Sequence, residues 1–276
     1  MSGSLGVMAI VLLETAVGGS VVLWASGVYG NVRRGFFLLA GITLAFCAWG
    51  AWAVTGSAVE QAAAVGPAGD PTVAAVTGPA GARMLVALAI FAGLMIAWQV
   101  LLLIRDGALA RGVGLLAAIA GVVALVTFGL ARGLDPAFAI AELALGALFL
   151  GSTLHGLLLG HWYLVERRLP NTHMIRSSWF YVAGVVASAV ALALSARNPA
   201  PDVTAVASPL LAIPGFSLLL GAGLVAICAL IAGFVWKLAQ EGGRSIQAAT
   251  GMFYLAVIMA FSAELAAKFR YFSPAS

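Results

Sequence analysis

Charged side chains are nearly missing from this chain: 10 acidic and 14 basic residues in 276, or 9% of the sequence. Soluble domains carry about a quarter charged residues and about half apolar ones. With 63% of its residues hydrophobic, the chain lacks the surface charge that keeps a globular protein dispersed in water. A bilayer is the solvent it fits. The small basic excess is no nucleic-acid signature, because the basic residues flank apolar runs, where they set membrane orientation. Cysteine is equally scarce. Cys47 and Cys228 fall in separate apolar runs without CxxC spacing, so they read as plain core residues and say nothing about redox compartment. The Walker A, GxGxxG, HExxH and GxSxG signatures of common soluble enzymes are absent.

What the chain does have is long apolar runs. About 20 such residues cross the hydrocarbon core as a helix, and eight stretches qualify: 5–29, 35–55, 83–104, 112–131, 137–164, 177–196, 209–236 and 246–268. The expected fold is all-α, a polytopic membrane protein of eight transmembrane helices. The first run is not a cleaved signal peptide, since it has no basic leader and carries Glu14 in its middle. The stretch 56–82, rich in Ala, Gly, Pro and Val, is expected to be a loose extracytoplasmic loop.

Basic residues orient the spans. Arg33, Arg34, Arg105, Arg111, Arg167, Arg168, Arg176, Lys237 and Arg244 fall on one side. Arg83, Arg132, Arg197, Lys268 and Arg270 fall on the other. The heavier side is expected to be cytoplasmic, with both termini outside a bacterial-type cytoplasmic membrane.

Three matches recur in order along the chain. Glu14-Thr-Ala-Val-Gly18 resembles Glu142-Leu-Ala-Leu-Gly146. Phe36-Phe-Leu-Leu-Ala-Gly41 resembles Trp179-Phe-Tyr-Val-Ala-Gly184, and Arg105-Asp106-Gly107 resembles Gln240-Glu241-Gly242. They predict an internal duplication, with residues 1–134 and 135–276 as two four-helix halves. An even number of helices per half makes the halves parallel, related by an axis along the membrane normal.

Ionisable groups within a span are costly and need a reason. Glu14, Glu142 and Glu264 all belong to the outer half of the membrane. They are candidates for a proton relay or a polar pocket; the alternative is that each carboxyl hydrogen-bonds a neighbouring helix. Glu264 reads most simply as a snorkelling residue paired with Lys268 four positions on. The fifth span carries His155 in its inner half, and His161, Trp162 and Tyr163 at the inner interface. Gly156 and Gly160 form a GxxxG step that permits close approach by a helix or a flat ligand. Six residues apart, the two imidazoles point about 120° away from each other, so they do not share a metal. A b-type haem would have to draw on His173 in the following loop, which argues against haem, and no metal site is expected. A quinone needs only one or two hydrogen-bonding groups, apolar walls and a proton route. His155, His161, Tyr163, Gln99 and Glu142 are candidates. His161, Trp162 and Tyr163 also fit an ordinary interfacial belt.

Eight helices in two four-helix bundles, an outside N-terminus and the Gly18-Gly19 step resemble the NrfD and polysulfide-reductase type of membrane subunit. The resemblance lies in architecture and carries over no site residue. It implies a subunit without covalently bound cofactor that exchanges electrons with quinone beside a peripheral redox protein. Three functions follow as expectations. The first is a quinone-linked membrane subunit of a respiratory or photosynthetic complex, without activity of its own, that conducts protons through its carboxyls. The second is a proton-coupled or small-solute transporter; Pro209 and Pro214, with no counterpart in the third span, count against its broken-helix form. The third is a structural or assembly subunit that docks an acidic partner or anionic lipid on Arg167, Arg168 and Arg176.

Overall fold

A computed structural model describes residues 4–29, 32–65, 78–104, 107–131, 135–166, 168–197 and 216–271. Among them are eight helices and no strand: α1 (Ser4–Tyr29), α2 (Arg34–Val65), α3 (Pro79–Ile104), α4 (Ala108–Leu130), α5 (Pro136–Val165), α6 (Thr172–Arg197), α7 (Phe216–Glu241) and α8 (Ser245–Tyr271). At 1.5 Å per residue they run roughly 35 to 48 Å, enough to cross a hydrocarbon core of about 30 Å. All eight are long and apolar enough to span a membrane. Large apolar side chains such as Phe46, Leu103, Leu219 and Leu230 point outward, the reverse of what water selects.

Local chemistry sets several boundaries. Asp135 caps α5 by accepting a hydrogen bond from the Ala137 N–H at 3.0 Å, with Pro136 in the first turn. The α7–α8 turn places Gly242 and Gly243 at φ of 68° and 55°, where a side chain is strained. Several boundaries differ from expectation: α3 and α4 start four residues earlier, at Pro79 and Ala108, and α7 runs on to Glu241 rather than 236. α2 continues ten residues beyond 55, because Ser57–Val65 is rich in Ala, the strongest helix former. α6 starts at Thr172 rather than 177, which takes His173 out of the loop and into the first helical turn. The remainder of the 56–82 loop up to 77, together with Pro209 and Pro214, lies outside the described residues.

Successive helices alternate in direction. One face, the terminal face, holds the start of α1 and the end of α8; the other, the basic face, gathers the ends of α1, α3, α5 and α7 with the starts of α2, α4, α6 and α8. Helices α1 to α4 form a ring in which α1 touches α2 and α4 while α3 closes the far side; α5 to α8 form a second ring with the same neighbour order. The rings meet where α1 packs along α5, flanked by α4 against α5 and α8 against α1. In the apolar stretch of α1, 78% of the residues are enclosed, against 33–56% for the other helices, which makes α1 the central element.

Glycine permits that central contact. A methyl group at Gly18 would overlap the Ala147 carbonyl, and one at Gly151 would strike the backbone of Gly18 and Gly19. The GxxxG step is filled by α8: Gly156 faces the Phe253 ring and Gly160 faces Thr250. At the basic face, Arg33 pairs with Glu166 at 3.0 Å and ties the two rings together.

Gly151→Ala is therefore expected to destabilise the fold by about 1–3 kcal/mol, the usual cost of overpacking. Gly233→Ala, whose methyl would meet open space, serves as the neutral control. Thermal unfolding in detergent micelles measures both.

Candidate functional site

Four ionisable side chains converge where α1, α5 and α8 meet. Glu14 is brought there by the central helix, Glu142 by the second turn of α5, and Glu264 and Lys268 by adjacent turns of α8. The Lys268 ammonium lies 2.9 Å from Glu14 Oε1 and 3.4 Å from Glu264 Oε2. Ser188 of α6 donates a hydrogen bond to Glu264 Oε1 at 3.4 Å. Glu142 lines the same small cavity, of about 10 Å³, together with Ser188, Glu264 and Lys268. It is also within electrostatic reach of the ammonium. Glu14 is 0%, Lys268 1%, and Glu142 and Glu264 3% exposed.

Geometry and sequence meet at Gly146. A methyl there would come within 2.6 Å of Glu14 Oε1 and 3.0 Å of Glu264 Oε2, so the glycine leaves room for the carboxyl groups. Glu14 Oε2 has no hydrogen-bond partner among the described residues. A buried ion pair is stable only when its geometry and remaining hydrogen bonds are good. Among the described residues, Glu14 and Glu264 share the Lys268 ammonium, with Glu142 at the same cavity.

The Glu264–Lys268 pairing across one helical turn is present, but neither residue snorkels to the surface. Lys268 turns inward to an acid more than 250 residues away in sequence. It is not one of the loop charges that orient the chain. Reading Lys268 only against its neighbour four positions back missed the Glu14 contact. The available signal was Lys268 itself, a lysine continuing the last apolar span in the same half of the membrane as three acids.

The other candidates separate. His155 is buried at the opposite end of the seam, with Nδ1 3.1 Å from Ser177 Oγ. His161 donates from Nδ1 to the Leu157 carbonyl at 2.9 Å, so its Nε2 accepts from the Tyr254 hydroxyl of α8. Tyr254 is half exposed on the outer surface of the bundle. The Tyr163 hydroxyl donates to the Pro170 carbonyl at 2.6 Å and accepts the Met174 N–H at 3.1 Å; it staples the α5–α6 turn. Gln99 is buried within the first ring against Gly41, and neither of its amide atoms has a partner among the described residues. Arg168 and Arg176 are exposed on the basic face, while Arg167 lies outside the described residues.

Fold and cluster together define a class: a polytopic helical membrane protein whose two four-helix rings enclose a charged seam. No family model matches the chain, and no curated protein or solved structure matches it.

Lys268→Met should lower stability by about 3–5 kcal/mol, the cost of stranding one partner of a buried pair. Adding Glu14→Gln to that variant should recover a large part of the loss. A double-mutant cycle from detergent unfolding checks this; strictly additive effects would show that the two residues are not coupled.

Proposed function

We propose that the protein is a proton-handling membrane subunit of a quinone-linked electron-transfer complex, respiratory or photosynthetic. The carrying observation is the gathering at the seam, among the described residues, of the carboxyls of Glu14, Glu142 and Glu264 around the Lys268 ammonium, with all four side chains sealed from solvent. Lys268 balances one negative charge. Further negative charge in hydrocarbon is costly, and a carboxyl relieves it by taking up a proton. Protons held among adjoining carboxyls can be exchanged without importing another counter-ion, which is what a relay requires.

Quinone chemistry exchanges such protons, since reducing a quinone consumes them and oxidising a quinol releases them. A cavity of about 290 Å³ opens near the basic face of the first ring, walled by Trp24, Phe37, Trp98 and Leu102 with Arg111 at its rim. Gln99 stands one position along α3 from Trp98, beside Gly41, one turn along α2 from Phe37. Flat aromatic walls with a few polar groups suit a quinone head. They move the favoured quinone position from α5 into the first ring. With Lys268 removed from the count of loop charges, the basic bias favours the terminal face as extracytoplasmic more strongly. Arg168 and Arg176 on the basic face are the docking surface for an acidic partner or anionic lipid.

A second reading, a proton-coupled transporter, is favoured by one feature: the cluster lies between the two rings, where rocking of one against the other would change its access.

In membranes containing the intact complex, Glu14→Gln and Glu142→Gln should each cut quinone turnover and its proton uptake at least tenfold. Unchanged turnover would remove the electron-transfer reading. Solute uptake by the isolated protein in liposomes, abolished by Glu14→Gln, would select the transporter.

A further inference from the structure

The opposite end of the seam holds a polar group that the cluster does not use. His155 is 4% exposed, and its Nε2 is buried without a partner among the described residues. A cavity of about 20 Å³ lies against it, lined also by Ser26 of α1 and by His173, Arg176 and Ser177 of α6. His173 is half-buried and Arg176 exposed, so the cavity reaches from the basic face to the imidazole.

The surroundings of His155 are otherwise apolar. Phe36 of α2 and Phe180 of α6 stand edge-on to its ring at 5.5 and 6.3 Å, and α8 presents Phe253 at the neighbouring Gly156. Among the described residues, the charged or titratable groups near it are His173 and Arg176 on α6, with Glu166 acting on His173 from beyond the end of α5. Glu166 is in turn paired with Arg33 of the α1–α2 turn.

A water fits this space. One water needs roughly 10–15 Å³ and two to four polar partners. Ser26 donates to the Leu23 carbonyl at 2.8 Å, which leaves its lone pairs to accept. Whichever tautomer His155 adopts, a water can donate to Nε2 or accept from it.

Polar side chains continue from His155 toward the cluster. Ser152, one turn away on α5, is buried against Gly184 of α6, where a methyl would strike its hydroxyl. Ser188, one turn further along α6, donates to Glu264 Oε1.

We propose that this cavity is hydrated and is the proton entry from the basic face, with His155 the group that takes protons up for the carboxyl cluster. The inference rests on the proton-handling reading above. The step is a simple protonation. With Nδ1–H directed at Ser177 Oγ, a proton carried by the water binds Nε2 and gives imidazolium; loss of the Nδ1 proton to Ser177 Oγ, whose hydroxyl gives up its own proton, restores a neutral ring protonated on Nε2.

Two measurements test it. In protein with ¹⁵N-labelled histidine in bilayers, the three histidines are assigned with His161→Asn and His173→Gln. The His155 Nε2 signal should receive magnetisation from water, and Ser26→Leu, which fills the cavity, should remove that transfer. A dry Nε2 in the unaltered protein, or a halide at this position in a high-resolution map, overturns the proposal. In liposomes with entrapped pyranine, a potassium diffusion potential should drive proton flux that Glu14→Gln slows at least tenfold. His155→Gln, which can hydrogen-bond but not carry a proton, and Ser26→Leu should slow it comparably, while Gly233→Ala, whose methyl meets open space, should not. If Glu14→Gln slows the flux and both cavity variants run at the unaltered rate, the entry is wrong and the proton-handling reading stands. If Glu14→Gln has no effect, that reading falls and the entry falls with it.

Discussion

A lysine sealed inside a membrane protein needs negative partners, and the contact of Lys268 with Glu14 and Glu264 is the constraint on which the remaining architecture depends. The ammonium comes from the last helix and the nearer carboxyl from the first, so the pair cannot form until the two four-helix rings have met. The close α1–α5 packing, the space left at Gly146 and the position of α8 against α1 all serve that meeting. Removing water from these groups costs several kcal/mol per ion. The cost is offset only because their partners are held by helices rather than by loops.

The bilayer explains why the rest of the molecule is so plain. Inside hydrocarbon every backbone group must be satisfied within the chain, which favours long uninterrupted helices. Association between such helices cannot draw on the hydrophobic effect and relies on close packing through small residues. Gly18 and Gly151 provide that approach at the centre; Gly156 and Gly160 provide it between α5 and α8. Against this background the polar residues of the seam stand apart. They form two groups, an acid-rich one toward the terminal face and a histidine-containing one toward the basic face, with Ser152 and Ser188 between them.

The helix count and most boundaries could be read from the chain because apolar runs of the right length are a local property. The boundaries that moved did so for local reasons too: an alanine-rich tail extended α2, and α6 began one turn and a half early. Glu14, Glu142 and Glu264 were recognisable as anomalies from composition alone, since an acid within an apolar run is visible without coordinates. Their common partner was not. Helical spacing tied Lys268 to Glu264 but carried no information about Glu14, because contacts between the first and last helices depend on how the rings close. Tyr163 shows the converse: a residue that suited a quinone site is used up by hydrogen bonds to Pro170 and Met174.

By itself the sequence determined that this is a membrane protein of eight apolar helices with a few acids and histidines where hydrocarbon should be. Hydropathy and length are summed along the chain, so no folding was needed to read them. Only the tertiary structure decided that Lys268 belongs with Glu14, that His155 and His173 share one cavity, and that Gln99 stands in the first ring apart from both. Those groupings arise from side chains on different helices. Their distances are set by ring closure and glycine-mediated contact, which no periodicity within a single helix encodes.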